Sequence, residues 1–131
     1  MENKYKNISM IENFFSMLLT NKGISDNIFV GTLPSTIATS WNNMVYVDTN
    51  SIYDLDSHGY GSVNIYLYAK PITDLSKKNV KVLNAMENAL ESTIESYSNN
   101  HYTIQYNWRD AGYDSTRNFH FDIINFSVLI K

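Results

Sequence analysis

The sequence has no cysteine, which excludes disulfides, thiolate nucleophiles and cysteine-held metals and fits a cytoplasmic protein. No apolar run approaches the ~20 residues that a membrane-spanning helix needs, so no membrane partner is expected. The opening stretch Met1–Phe15 carries Glu2, Lys4, Lys6 and Glu12, and a signal-peptide core is not expected there. Basic charge is also in short supply. A net charge of −3 and a pI near 5.5 leave no footprint for duplex DNA or an acidic membrane. Neither a phosphate-cradling G-x-x-x-x-G-K-[ST] loop nor a G-x-S-x-G nucleophile elbow occurs.

What is present suits one folded domain spanning residues 1–131. A hydrophobic share of 44% with 18% charged residues is ordinary for a packed core and argues against global disorder. Asparagine is abundant, as an AT-rich genome would produce. The ten tyrosines are more informative, because their amphipathic rings suit both protein contacts and sheets.

Two helices and five strands can be placed by periodicity. Ile8, Ile11, Phe14, Phe15, Leu18 and Leu19 follow helical spacing and predict a helix that stops before Gly23. Ile28–Val30 predicts a short strand, and Gly31 and Pro34 open an irregular segment through Ser40. Trp41–Thr49 predicts a second strand. Asn50–Gly61 reads as a long polar connection. Val63–Ala69 alternates apolar with polar or aromatic residues and predicts the central strand, ended by Pro71.

Val80, Leu83, Met86, Leu90, Ile94 and Tyr97 then form a helical stripe, with Asp74 or Ser76 as candidate caps. Phe14, Phe15, Leu83, Leu90 and Ile94 are the expected core of the two helices. Tyr102, Ile104, Tyr106 and Trp108 share one face of a fourth strand, and Arg109–Arg117 predicts a hairpin connection. In the last strand, Asn118–Ile130, the apolar positions change phase between Ile123 and Ile124. Either a bulge lies there, or the sheet is covered on opposite faces along its length. The second is expected, with the two amphipathic helices as the covers. The fold class is α+β: one mixed or mainly antiparallel five-stranded sheet and two helices, in the order α-β-β-β-α-β-β.

Chemistry-bearing motifs are weak. Asp54, Asp56, His58 and Gly59 resemble the opening of a calcium loop, but the twelfth position is Ile65 instead of a bidentate glutamate. Gly59-Tyr60-Gly61 precedes a strand instead of opening a helix, so it is not a dinucleotide fingerprint. His120 and Asp122 share a strand face with no nucleophile beside them and are expected to make a surface contact. Glu87, Glu91 and Glu95 at i, i+4 spacing predict a solvated helix face. No catalytic residue, cofactor or metal ligand is therefore expected.

One RNA-binding alternative has residues behind it. Ile28–Leu33 looks like the first aromatic motif of RNA-recognition domains, and His58–Val63 partly matches the second. Ser62 and Ile65 stand where stacking rings belong, and Leu33–Asn43 lacks the amphipathic stripe of the helix that fold requires after its first strand.

End to end, the chain resembles the tail-terminator or tail-completion proteins of long-tailed bacteriophages. The resemblance rests on the N-terminal helix, the short strand leading to Leu33-Pro34, Trp41–Thr49, a polar loop, the strand Val63–Ala69, the helix Asn79–Tyr97 and the closing hairpin ending in Phe126–Ile130. Asp114–Phe121 is similar to such proteins from phages or prophages of Bacteroides-like hosts.

The resemblance implies a non-enzymatic ring subunit, usually of a hexamer, that caps the tail tube and joins it to the head. It implies self, tail-tube and connector proteins as partners, and a place in the virion after assembly in the host cytoplasm. Interface candidates follow from chemistry alone: Tyr53, Asp54, Asp56 and Tyr60 around the polar connection, Tyr66 and Tyr68 on the central strand, and Lys77, Lys78 and Lys81 as a basic complement.

Overall fold

A computed structural model describes residues 7–54, 59–72, 77–94 and 97–131. Its elements are α1 (Ile8–Asn21), β1 (Ile28–Val30), β2 (Asn43–Asp54), β3 (Gly59–Ala69), α2 (Val80–Ile94), β4 (Tyr102–Asp114) and β5 (Phe119–Ile130). One five-stranded sheet in the order β1-β2-β3-β5-β4 is antiparallel except for the β1–β2 pair. The α+β class and the element order agree with the sequence pattern.

Each helix forms where an apolar stripe meets a cap. The Asn7 side-chain oxygen accepts the Ser9 N–H at 3.1 Å, satisfying one orphan donor of α1. Gly23 takes φ 64 just past the helix, a conformation that favours glycine. At α2 the Asn79 side chain accepts the Val82 N–H at 3.3 Å; the proposed caps Asp74 and Ser76 lie outside the described residues. Tyr97 lies beyond α2, and its N–H returns to the Ile94 carbonyl at 2.9 Å.

Both helices pack on the same face of the sheet. Ile11, Phe15 and Leu19 of α1 join Leu83, Met86, Leu90 and Ile94 of α2 over Val45, Val47, Val63, Ile65, Leu67, Ile124, Phe126, Val128 and Ile130. Phe14 is only half-buried, with its ring 4.7 Å from that of Tyr102 and 5.6 Å from that of Tyr97.

The opposite face is covered by something else. There, Met44, Tyr68 and Phe119 are buried under Leu33, Ile37 and Trp41, from the stretch between β1 and β2 that has neither helix nor strand. The last strand therefore does serve two faces, but an irregular strap, not a second helix, provides the far cover. No bulge interrupts β5: its register with β3 runs unbroken from His120 to Ile130.

The bulges lie on the neighbours instead, after Thr49 in β2 and after Tyr106 in β4. An extra residue reverses which side chains face the helices. Trp108 consequently sits on the far face, opposite Asn125, and does not share the side of Tyr102, Ile104 and Tyr106. The strands also run further than their alternation suggests. Most of Asn50–Gly61 is a paired hairpin, with Asp54 opposite Gly59, and much of Arg109–Arg117 belongs to β4.

Candidate interface on the open sheet face

The face turned away from the helices is banded. At one end lies the aromatic patch beneath the strap. The Tyr46 and Tyr66 rings are 5.4 Å apart, Tyr66 stacks on Tyr68 at 6.3 Å, and Phe121 lies 5.2 Å from Tyr68. Gly112 makes room for this packing: a Cβ there would come within 2.5 Å of the Phe121 ring.

Side chains on the sheet and at its strand ends hold the strap by its carbonyls. Arg117 Nε donates to Pro34 O at 2.9 Å while its guanidinium pairs with Asp114 at 2.9 Å. Lys70 Nζ donates to Thr39 O and the Tyr46 hydroxyl to Gly31 O, each at 3.1 Å. Burial, with Asp114 nearby, pushes the Tyr68 hydroxyl up to a pKa of about 12.

A band of amides and hydroxyls crosses the middle. Asn107 Nδ2 donates to Ser127 Oγ at 2.6 Å and to Asn125 Oδ1 at 2.9 Å. Asn125 Nδ2 donates to Asn64 Oδ1 at 2.7 Å and Ser62 Oγ at 3.1 Å. Asn125 and Ser127 are only 4% and 6% exposed, although no helix covers them. Buried polar atoms need partners, and here neighbouring strands supply them. The bulge after Tyr106 is what brings Asn107 onto this band.

The far end of the face is open. Tyr53 is opposite Tyr60, and Tyr60 is opposite Leu129, so the three make one row across β2, β3 and β5. The Tyr53 and Tyr60 rings lie 6.2 Å apart, and the Tyr60 hydroxyl shares a 2.7 Å hydrogen bond with Ser127. These side chains are exposed, as is Trp108 beyond the amide band.

The structure brings four of the expected residues onto this face: Tyr53, Tyr60, Tyr66 and Tyr68. None of them packs under a helix. Tyr68 is spent on the strap and Tyr66 is half-buried, whereas Tyr53 and Tyr60 are available. The side chain of Asp54 and all of Asp56 lie outside the described residues, as does His58 of the calcium-loop and RNA-motif readings.

The lysines separate into two kinds. Lys77 and Lys81 are exposed, while Lys78 Nζ is bound to Asp122 Oδ1 at 2.9 Å and so is not a free interface cation. Asp122 partners Lys78, and the His120 ring lies 4.8 Å from that of Tyr113. The glutamate row is not simply solvated either. Glu91 accepts from Arg109 at 2.9 Å, and burial, then Asp122, raises the Glu87 pKa; Glu95 lies outside the described residues. Trp108, Leu129 and the amide band were missed: the bulge after Tyr106 turns Trp108 to this face and brings in Asn107, and the unbroken register of β5 sets Leu129 beside Tyr60.

The RNA-recognition alternative meets two obstacles. Its motif segments fall on β1 and β3, which β2 separates, and no helix follows β1 before β2. A base-stacking platform needs its rings side by side, yet Phe29 lies against Trp41 with ring centroids 5.6 Å apart. Among the described residues no group of three metal-ligating side chains occurs, and no helix is long and apolar enough to cross a membrane.

No protein-family model matches the chain, and no curated protein matches it. Among solved structures, a chain from the virion of a native gene transfer agent particle is similar, with a TM-score of 0.52 at 10% identity over 88% of this chain and 84% of that one. At that identity the likeness is one of fold.

Proposed function

We propose that this protein is a structural virion component of the tail-terminator or tail-completion kind, a ring subunit that caps a tail tube and joins it to the head. The observation that carries the reading is the fold shared over 88% of this chain with a chain of a gene transfer agent virion. The chemistry of the open face supports it. Exposed tyrosine and tryptophan around an internally satisfied amide band have the composition of an interface core, rich in rings and poor in lysine and glutamate. On this reading the protein acts by assembly and has no catalytic role. Its partners are further copies of itself, in a ring such as a hexamer, together with tail-tube and connector proteins. Its place is the virion, after assembly in the host cytoplasm.

The test is direct. Sedimentation velocity over a concentration series, followed by negative-stain microscopy, is expected to show closed rings. Purified tail tubes from the same virus are expected to carry those rings at one end. A chain that stays monomeric and leaves tube ends bare would sink the proposal.

A further inference from the structure

We infer that copies of this chain meet head to tail, with the open end of the far sheet face of one copy seated on the start of α2 of the next. The inference rests on the ring reading and names the two surfaces that would build it.

The first surface consists of Tyr53, Tyr60 and Leu129 in a row at the open end, with Trp108 on the edge strand across the amide band; they are 59%, 40%, 40% and 45% exposed. The strap covers the other end of the same face and stops short of these residues. The strand positions on this face carry no lysine or arginine among the described residues, and they include Asp48 and Asp110. Beside the rings, Asn125 and Ser127 already hold their hydrogen bonds inside the chain. A partner can therefore exclude water here without orphaning buried polar atoms.

The second surface lies on the helix layer. Ile72 and Val80 are 39% and 54% exposed, and the Ile72 N–H donates to the Lys77 carbonyl at 3.3 Å, which sets apolar and basic residues side by side. Lys77 and Lys81 are exposed with them. Apolar side chains flanked by lysines complement a face whose exposed rings meet no basic residue among the described residues and whose edge carries Asp110 next to Trp108, and such charges set register and partner choice.

The patches lie on opposite layers of the domain, so one neighbour cannot satisfy both. Contacts of this kind are heterologous, and they close a ring when the rotation permits. A two-fold dimer through the helix-layer patch alone would set lysines against lysines.

Two variants test this. One carries Tyr53→Ser and Leu129→Ser, which remove the apolar anchors without adding charge, the other Val80→Glu and Lys81→Glu. All four positions are exposed, and circular dichroism of each variant should overlay the parent. In sedimentation each variant alone is expected to associate roughly tenfold or more weakly than the parent, as loss of a central anchor does. An equimolar mixture keeps one intact contact, so it should form a one-to-one heterodimer that grows no further. Rings that survive in either variant, or a mixture that stays monomeric while the parent assembles, would overturn the inference and leave the ring reading standing. A parent that never assembles overturns both.

Discussion

Lys78 Nζ and Asp122 Oδ1 meet at 2.9 Å, fastening the approach to α2 onto the middle of β5. The Asp122 side chain is 12% exposed and that of Lys78 is 35% exposed, so the carboxylate is the buried partner and the ammonium reaches it from the rim. Arg109 and Glu91 make a second tie between β4 and α2. Together the two pairs tie α2 and its approach to β5 and β4.

Removing the lysine should therefore cost more than an exposed pair is worth. Lys78→Met leaves a largely buried carboxylate without its cation. The expected loss is about 1–3 kcal/mol, the range for orphaning a buried polar partner. Adding Asp122→Asn to that variant should restore part of it. Urea midpoints of the parent, the single and the double variant measure this, and a single variant as stable as the parent would make the pair incidental.

Leu90 tests the other half of the helix layer. It is fully buried between α2 and the sheet, and truncation to alanine removes its packing and leaves a cavity. Leu90→Ala should cost about 2–5 kcal/mol. An unchanged denaturation midpoint would take α2 out of the core.

The two amphipathic helices and the order of elements along the chain were legible because periods of 3.6 and 2 are hard to confuse over long elements. What hid was the phase of the strands. Neither Asn50 nor Asn107 is a glycine or proline, yet each marks an extra residue that turns the following side chains over. That shift carries Trp108 away from Tyr106 and brings Tyr53 onto the face of Tyr46. The strand ends were also obscure, since Asp54, Gly59 and Asp110 are residue types of loops, and only the pairing of neighbouring strands places them in the sheet. The strap was invisible for a related reason: Leu33, Ile37 and Trp41 cover a sheet without forming any regular element. Of the site, the tyrosines could be read from composition. Lys78 could not be told from Lys77 and Lys81, because only the fold brings Asp122 to it.

Arg117 should govern how firmly the strap is held. Its guanidinium is oriented by Asp114 and reaches the carbonyls of Pro34 and Leu33, which the strap's own backbone does not satisfy by a helix or strand ladder. Arg117→Ala is expected to cost about 1–3 kcal/mol and to speed proteolytic cutting between Gly31 and Asn42. Limited proteolysis with mass spectrometry would locate the cuts. Unchanged cleavage there would show that apolar packing alone retains the strap.

Tyr68 offers a pH test of the same cover. Its pKa is raised by burial, and next by Asp114, from 10.0 to about 12. Between those values the unfolded chain has released a proton that the native chain still holds. Stability therefore falls as pH rises in this interval; the contribution is whole below about pH 10 and lost as pH passes about 12. Tyr46, also raised by burial, adds a drop of the same sign, so the comparison must be with a variant and not with the curve alone. Tyr68→Phe keeps the ring against Phe119 and Phe121 and removes the ionisable hydroxyl. Its stability should decline less steeply than the parent's over the same alkaline range, as measured by denaturant titration at a series of pH values. Parallel curves for the two proteins would mean that Tyr68 ionises as freely when folded as when unfolded, and that the strap does not seal it from water.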